Sequence, residues 1–194
     1  MKLVLATGNT GKQKELAALL APRGCELVLQ TALGIPAADE TGQTFEANAL
    51  LKARHAARAS GLPALADDSG LEVDALDGRP GVHSARYAGP RASDADNVAL
   101  LLEALMGVPA ALRGARYRSV IALVRFPDDP EPLIADGTWE GRIALVPIGG
   151  GGFGYDPVFI PEHENRTVAQ MGAAEKNAVS HRAKALAALL ARWP

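Results

Sequence analysis

The chain has 194 residues, of which 48% are hydrophobic and 22% charged, so it is long enough to bury one sizeable apolar core. A net charge of −2 argues against a broad nucleic-acid surface, which requires a strongly basic face. The single cysteine, Cys25, excludes an intrachain disulfide, and no stretch approaches the roughly 18 apolar residues of a membrane span. We therefore expect a soluble cytoplasmic protein that binds neither nucleic acid nor membranes. If its ligand is an anion, the cations that bind it must be gathered locally.

The first part of the chain has a β-α-β pattern. Lys2–Ala6 and Glu26–Gln30 have the apolar character of buried strands, and Gly11–Leu20 between them has leucine and alanine at helical spacing. Thr44 is placed to cap a longer helix that extends to about Ser60. These elements predict strands that alternate with helices.

The second part combines helices with a pair of long strands. Ser93, followed by Asp96, resembles a capping box and opens a helix. Residues 116–126 and 132–146 have the pattern of two long strands joined by a turn-rich segment, and residues 174–193 predict one last helix. Together the patterns predict an α/β fold with an antiparallel component.

Two adjacent carboxylates, Asp67 and Asp68, follow the short apolar run Ala64–Ala66 and precede Ser69 and Gly70. A carboxylate at the end of a buried strand is held by packed backbone, and it can bind a divalent cation or accept a proton from water. The alternative is an Asx turn with solvated acids. Regular strand geometry turns the two side chains to opposite faces, so only one reaches a given site unless the strand ends there.

A strand-loop-helix junction follows the first strand and consists of Thr7, Gly8, Asn9, Thr10, Gly11 and Lys12. It is not a Walker A motif, because Ala6 and Gln13 occupy positions where that motif has glycine and Ser or Thr. Backbone amides at a helix N-terminus together with Lys12 still suit an anion. The alternative interpretation is an ordinary capped turn.

A glycine-rich segment, residues 149–154, contains a formal G-x-G-x-x-G match, but Tyr155, Asp156 and Pro157 follow it, so no Rossmann helix can begin there. We interpret it as a mobile loop that presents Phe153 and Tyr155. Such rings stack on nucleobases, at about 1–3 kcal/mol per base. The alternative is that Phe153 only anchors the loop to the core.

Polar residues recur on the predicted last helix, where Lys176, Ser180 and Lys184 have four-residue spacing. His181 and Arg182 point about 100° apart on a helix, yet both can line one pocket rim. A solvated polar face is the alternative.

The helix that Thr44 caps carries Asn48 and Lys52 on one face, and Glu40 lies in the loop before it. A loop acid is usually solvated, so the role of Glu40 depends on what the fold places opposite it.

The chain contains, in order, the blocks TGNTGK, ETG, TFEANALLKA, ADDSGLEVDAL, PGVHSARYAG, GGFGYDPVF and AEKNAVSHR. This set resembles the inosine triphosphate pyrophosphatase family and covers nearly the whole chain. The resemblance implies a single domain over residues 1–194, with a mixed twisted sheet, flanking helices and two lobes around a central substrate cleft. It also implies a homodimer and the Mg²⁺-dependent hydrolysis of ITP, dITP and XTP to the monophosphate and pyrophosphate, which removes deaminated purines from the nucleotide pool.

Site residues follow from the same resemblance. Glu40 and Asp68 are expected at the metal, and Asp68 is also the expected proton acceptor. Substrate contacts toward the phosphates are expected from Thr7, Gly8, Asn9, Thr10, Gly11, Lys12, Lys52 and Lys176, and Ser69 is a further expected substrate contact. Contacts toward the base are expected from Phe153, Gly154, Tyr155, Asp156, His181 and Arg182.

Two other functions remain open on the sequence. A Maf-like pyrophosphatase for other modified nucleotides shares the opening loop but does not need the FGYD and SHR blocks. A non-catalytic nucleotide-binding module can dispense with Glu40, Asp68 and Lys176, all of which are present.

Overall fold

A computed structural model describes residues 2–193 of the chain. Its strands are β1 (Lys2–Leu5), β2 (Glu26–Leu29), β3 (Ala64–Val73), β4 (Gly114–Val124), β5 (Leu133–Ile143) and β6 (Phe159–Pro161). Its α-helices are α1 (Thr10–Leu20), α2 (Phe45–Ser60), α3 (Asp94–Ala104), α4 (Ala173–Val179) and α5 (His181–Leu190). None of the helices within residues 2–193 is long and apolar enough to cross a membrane.

The strands form one mixed sheet in the order β2-β1-β3-β4-β5-β6. Strand β1 pairs in parallel with β2 and with β3, whereas β5 and β6 are antiparallel. Strands β4 and β5 are neighbours joined by residues 125–132 alone, and a connection this short gives an antiparallel pair, because a parallel pair needs a crossover of about a dozen residues or more. The expected α/β class with a mixed sheet and flanking helices is confirmed.

The described chain divides into two compact units. The first comprises residues 2–68, 119–137 and 182–193, and the second comprises residues 69–118 and 138–181. The core of the first unit lies among β1, α1, β3, β4 and α5, and includes Leu5, Leu16, Leu65 and Leu186. The core of the second unit is built around aromatic side chains, among them Tyr117, Trp139 and Phe159.

The helix starts at Thr44 and Ser93 follow the predicted capping chemistry, and the start of α1 is capped as well. The Asn9 side chain accepts a hydrogen bond from the Lys12 amide at the start of α1, and the Thr44 hydroxyl accepts one from the Ala47 amide at the start of α2. Ser93 and Asp96 form a reciprocal capping box at α3. The local signals in the sequence therefore place these helices correctly.

The last helix differs from the prediction, because α4 and α5 are separate. Ser180 lies between them with an extended backbone, at φ −66° and ψ 160°, and is fully buried. The prediction of one helix over residues 174–193 is therefore wrong. The alanine-rich pattern on both sides of Ser180 is helical, and it carries no local signal for a break.

Strand β3 runs through the acidic pair and continues to Val73. Asp67 and Asp68 therefore lie within a strand, and their side chains point to opposite faces. The alternative of a solvated Asx turn is wrong, since both side chains are buried.

Candidate active site

The loop between β1 and α1 is held by its own side chains. The Thr7 hydroxyl accepts a hydrogen bond from the Asn9 amide at 3.2 Å, and Gln13 Nε2 donates to the Thr7 carbonyl at 2.9 Å. Nothing lies within 4 Å of a Cβ placed on Gly8. The loop is thus fixed while its centre stays open, which leaves room for an anion at the N-terminus of α1.

Lys12 and Arg182 meet at the carboxylate of Asp67. Lys12 Nζ lies 2.8 Å and Arg182 Nη2 3.3 Å from Asp67 Oδ2, and Ser119 donates to Asp67 Oδ1 at 2.5 Å. Arg182 also pairs with Glu15 on α1. Burial raises the pKa of Asp67, but Arg182 and Lys12 outweigh burial and hold this pKa well below its ordinary value.

Lys52 of α2 lies between two carboxylates. Its Nζ is 3.0 Å from Glu40 Oε1 and 2.6 Å from Asp68 Oδ1. Burial lowers the pKa of the Lys52 ammonium, but Asp68 and Glu40 outweigh burial and raise this pKa above its ordinary value. Glu40 is thus no merely solvated loop acid, because it shares one cation with Asp68.

The two oxygens of Asp68 have different surroundings. Oδ1 accepts from Lys52, whereas Oδ2 is buried and has no hydrogen-bond partner among residues 2–193. Burial raises the pKa of Asp68 above its ordinary value, although Lys52 and Lys12 act in the opposite direction. A buried carboxylate oxygen without a partner is unusual, and it suits a proton acceptor or a metal ligand.

Asn48 fixes the loop that carries Glu40. Its Oδ1 accepts a hydrogen bond from the Gly42 amide at 2.8 Å, and a Cβ on Gly42 would lie 2.6 Å from that oxygen. Asn48 lies one helical turn before Lys52 on α2. The face of α2 that carries Asn48 and Lys52 therefore contacts the Glu40 loop twice. Asn48 holds the loop backbone at Gly42, and Lys52 pairs with the Glu40 carboxylate.

The glycine-rich segment is closely packed. A Cβ on Gly149 or Gly151 would lie within 3 Å of the Ala169 backbone, and one on Gly152 would collide with Asp156 Oδ2. Gly154 donates its amide to Asp94 at 2.6 Å. These glycines are needed for close approach of the backbone to its neighbours.

Tyr155 does not leave the core, and the prediction that the loop presents its ring is wrong. The residue is only 4% exposed, and its hydroxyl donates to the Ser84 carbonyl at 2.8 Å. Because a buried Tyr needs a partner for its hydroxyl, this hydrogen bond fixes the ring inside the second unit. Burial raises the pKa of Tyr155 above its ordinary value.

Asp156 organises the loop from within. It accepts hydrogen bonds from Lys176 Nζ at 2.6 Å, from the Phe153 amide at 2.9 Å and from the Tyr117 hydroxyl at 3.2 Å. Lys176 Nζ also lies 4.4 Å from the centre of the Phe153 ring. Asp156 thus positions both the lysine and the ring that the sequence pointed to.

His181 is buried among aromatic side chains of the second unit. Its ring stacks on Tyr117 at 4.7 Å with an interplanar angle of 14°, and the Trp139 ring lies 6.4 Å away. Tyr117 also contacts Phe159 at 4.6 Å. Packing therefore fixes the plane of the imidazole.

The predicted site residues fall into two groups. The first unit brings together the Thr7–Lys12 loop, Lys52, Glu40, Asp68 and Arg182. The second unit contains Ser69, which is half-buried on β3, together with Phe153, Gly154, Tyr155, Asp156, Lys176 and His181.

Sequence reasoning gave little weight to five residues in these groups, namely Glu15, Asn48, Asp67, Tyr117 and Ser119. A signal existed for two of them. Glu15 lies one turn after Lys12 on α1, and Asn48 one turn before Lys52 on α2.

This arrangement defines a class of protein. An open helix N-terminus, partly buried lysines and a carboxylate with one oxygen that has no partner among residues 2–193 are the parts of an enzyme that hydrolyses a phosphoanhydride. The mixed α/β sheet places these parts at the end of β1 and within β3.

Comparison with known proteins gives the family. The sequence model of the Ham1 family matches residues 3–192. A dITP/XTP pyrophosphatase of Methylococcus capsulatus is 59% identical over 98% of this chain and 95% of its own length, and that of Escherichia coli strain K12 is 52% identical over 97% and 96%. A solved HAM1 protein structure from Coxiella burnetii superposes with a TM-score of 0.91 at 47% identity, covering 99% of this chain and 98% of its own. The chain belongs to the Ham1 family.

Proposed function

We propose that this protein hydrolyses deaminated purine nucleoside triphosphates, namely ITP, dITP and XTP, to the monophosphate and pyrophosphate. The pyrophosphatases to which it is similar match nearly the whole chain. The observation that carries the proposal is Asp68, with one oxygen held by Lys52 and the other buried without a partner among residues 2–193. A carboxylate held in this way is positioned to accept a proton from water.

Hydrolysis attaches a water oxygen to the α-phosphorus and breaks the bond from that phosphorus to the oxygen bridging to the β-phosphate. The water proton passes to Asp68 Oδ2, and the electron pair of the broken bond leaves with pyrophosphate. Lys12 and Lys52 neutralise the charge that accumulates on the leaving group. Lys176, which Asp156 holds at 2.6 Å, is the third cation that we assign to the triphosphate.

Mg²⁺ is the proposed cofactor, with Glu40 and Asp68 as its protein ligands. The residues fit this ion, because Glu40 Oε1 and Asp68 Oδ1 converge on one cation position, at 3.0 and 2.6 Å from Lys52 Nζ, which leaves Asp68 Oδ2 for the proton. Mg²⁺ usually takes one or two carboxylates plus phosphate oxygens and waters, so it does not need the three-residue cluster that residues 2–193 lack. When bound, the ion supplies positive charge to the phosphates.

We assign recognition of the base to His181, Arg182 and the loop around Phe153. Hypoxanthine and xanthine present a 6-oxo acceptor, which donors on His181 and Arg182 satisfy, whereas adenine presents an amino donor there. A donor left unpaired rejects the wrong base, by up to about 10⁴–10⁵-fold in the best cases. Guanine also has the 6-oxo group, so its rejection must come from the C2 side of the base.

The decisive experiment measures pyrophosphate and orthophosphate release from ITP, dITP, XTP, GTP, ATP and modified pyrimidine triphosphates, with and without Mg²⁺. We expect Mg²⁺-dependent pyrophosphate release, with kcat/KM for ITP and XTP well above that for GTP and ATP.

Each alternative gives a different result in the same experiment. Preference for a modified pyrimidine or methylated base indicates a Maf-like activity, and binding without turnover indicates a nucleotide-binding module. Release of orthophosphate indicates a phosphatase, and equal kcat/KM for ITP and GTP contradicts the proposed selectivity.

We also propose that the protein acts in the cytoplasm as a homodimer. Exposed apolar side chains close together in the sequence support an interface on the second unit, where Leu145 is 60%, Val146 57% and Ile148 43% exposed. Light scattering coupled to size-exclusion chromatography is expected to give a dimer mass, and a monomer at micromolar concentration contradicts this assembly.

A further inference from the structure

Asp67 is the most completely buried carboxylate of the first unit's site, with a side chain that is 0% exposed. Three of its partners come from three different elements. Lys12 lies on α1, Ser119 on β4 and Arg182 on α5. The carboxylate therefore connects the first turn of α1 with the first turn of α5.

The two cations share a single oxygen of Asp67. Oδ2 accepts from Lys12 at 2.8 Å and from Arg182 at 3.3 Å, while Oδ1 accepts from Ser119. Two positive groups this close repel each other strongly in a buried setting unless a negative charge lies between them. Asp67 supplies this charge, and Glu15 supplies a second one to Arg182 alone.

Asp67 lies on the face of β3 opposite to Asp68, because the strand is continuous through both residues. The ion pairs agree with this geometry, since Asp68 pairs with Lys52 and Asp67 pairs with Lys12 and Arg182. The Asp67 carboxylate therefore cannot take the role that we propose for Asp68 Oδ2, which is to accept the proton of the attacking water. Its buried negative charge acts on the two cations instead.

We propose that Asp67 is a positioning residue, which holds Lys12 and Arg182 at a fixed spacing so that one cation meets the phosphates and the other the base. The proposal rests on the proposed function, which assigns those contacts to Lys12 and Arg182. The side chain of Asp67 touches neither water nor substrate in this role. It acts through Lys12 and Arg182.

A double-mutant cycle tests this role. Kinetics with ITP are measured for the wild type, Asp67→Asn, Lys12→Met and the double variant. Misplacement of a catalytic cation lowers kcat/KM by on the order of 10²-fold, so we expect Asp67→Asn to have this effect in the wild-type background. In the Lys12→Met background we expect Asp67→Asn to lower kcat/KM by less than about tenfold, because Arg182 is then the one remaining cation of the two that Asp67 positions.

An equal loss of kcat/KM in both backgrounds overturns the proposal, since none of the effect of Asp67 then passes through Lys12. Near-normal kcat/KM for Asp67→Asn overturns it as well. Ser119→Ala is the matched control, because it removes a hydrogen bond to Asp67 Oδ1 and leaves both cation contacts in place. We expect it to lower kcat/KM by less than about tenfold.

A binding measurement separates this proposal from the proposed function. Calorimetry with inorganic pyrophosphate needs no turnover, and we expect at least about tenfold weaker binding by Asp67→Asn than by the wild type, because Lys12 is no longer held in place. If the wild type fails to hydrolyse ITP but this difference persists, the proposed substrate is wrong and the positioning role stands. Unchanged pyrophosphate affinity overturns the positioning role.

A second comparison covers the case in which Asp67→Asn does not fold. In the wild-type background Asp67→Asn leaves two cations, Lys12 and Arg182, without the charge of Asp67. In the Arg182→Gln background only Lys12 loses this charge, so the double variant loses less folding stability to charge repulsion. We expect Arg182→Gln with Asp67→Asn to bind pyrophosphate at least about tenfold more weakly than Arg182→Gln alone. Equal affinity of these two variants overturns the proposal.

Discussion

Asp67 and Asp68 follow one another on β3, and the pleat of the strand turns their carboxylates to opposite faces. Both are buried, so burial alone raises both pKa values. Asp67 meets Arg182 and Lys12, which bring its pKa well below the ordinary value, whereas Lys52 and Lys12 only partly offset burial at Asp68. Neighbouring acids with opposite pKa shifts have different roles, and the raised one is the better proton acceptor.

The first prediction concerns Asp68→Asn, which keeps the shape of the side chain and removes its basicity. We expect kcat for ITP to fall by about 10²–10⁴-fold, because general-base catalysis contributes on this order, while the affinity for the nucleotide stays within a few-fold. Steady-state kinetics and calorimetry with ITP measure the two quantities.

Asp39→Asn is the matched control, since Asp39 is an exposed acid one residue before Glu40. It is expected to leave kcat near the wild-type value. Near-normal turnover of Asp68→Asn refutes the catalytic assignment.

At the scale of elements, the sequence predicted the helix starts and strands that are determined by residues close together in the chain. The caps at Thr44 and Ser93 and the strand pattern of β1 and β4 were read correctly, because side-chain to backbone hydrogen bonds and apolar periodicity are visible within a few residues. The break at Ser180 was missed, since its flanking residues are helical by pattern and the buried position of Ser180 is set by tertiary packing. The burial of Tyr155 was missed for the same kind of reason, because its hydroxyl partner, Ser84, is 71 residues away.

The second prediction concerns the glycine-rich segment and compares Gly152→Ala with Gly150→Ala. A Cβ at Gly152 collides with Asp156, and its φ of 73° is strained for alanine, so the substitution displaces the carboxylate that holds Lys176 and the Phe153 amide. We expect kcat/KM for ITP to fall by on the order of 10²-fold. A Cβ at Gly150 has nothing within 4 Å, so Gly150→Ala is expected to behave like the wild type.

Steady-state kinetics of both variants, with circular dichroism to confirm folding, check this prediction. Equal kcat/KM for the two variants would show that the packing of Gly152 against Asp156 does not position the loop.

At the scale of the whole molecule, the sequence indicated the family, the fold class and most members of both residue groups, but not which residues pair within each group. Arg182 and Asp67 are 115 residues apart, and Tyr117 and Asp156 are 39 apart. Such pairs leave no trace in the periodicity or composition of one sequence. The near-neutral charge of −2 did correctly indicate that cations for an anion would be gathered locally, as Lys12, Lys52 and Arg182 are.

The stability of the whole chain in acid depends on carboxylates whose pKa values are lowered by folding, and Asp129 allows a clean test. It is buried and accepts from Arg125 Nη2 at 2.6 Å, from Arg125 Nε at 2.8 Å, and from the Arg125 and Glu131 amides at 3.0 Å. The hydrogen bonds from Arg125 hold the pKa of Asp129 below its ordinary value of 3.8, although burial opposes them. Because the pKa is lower in the folded state than in the unfolded state, the stabilisation is fully present above about pH 5 and is lost as the pH falls toward the folded-state pKa.

We therefore expect Asp129→Ala to lower the free energy of unfolding at pH 7 by about 1–3 kcal/mol, because buried backbone amides lose their acceptor. Urea unfolding of the wild type and the variant is measured at steps from pH 7 to pH 3. The difference is expected to narrow steadily below about pH 5, because Asp129 takes up a proton in the unfolded wild type that the folded state does not bind. Asp128→Ala is the matched control at the neighbouring residue, since the Asp128 side chain is 84% exposed and forms an ion pair with the exposed Arg58. Its effect on the free energy of unfolding is expected to stay within about 0.5 kcal/mol at every pH. If the difference in the free energy of unfolding between the wild type and Asp129→Ala stays constant down to pH 3, the charge of Asp129 is not the source of the stabilisation. The packing of its side chain is then the cause.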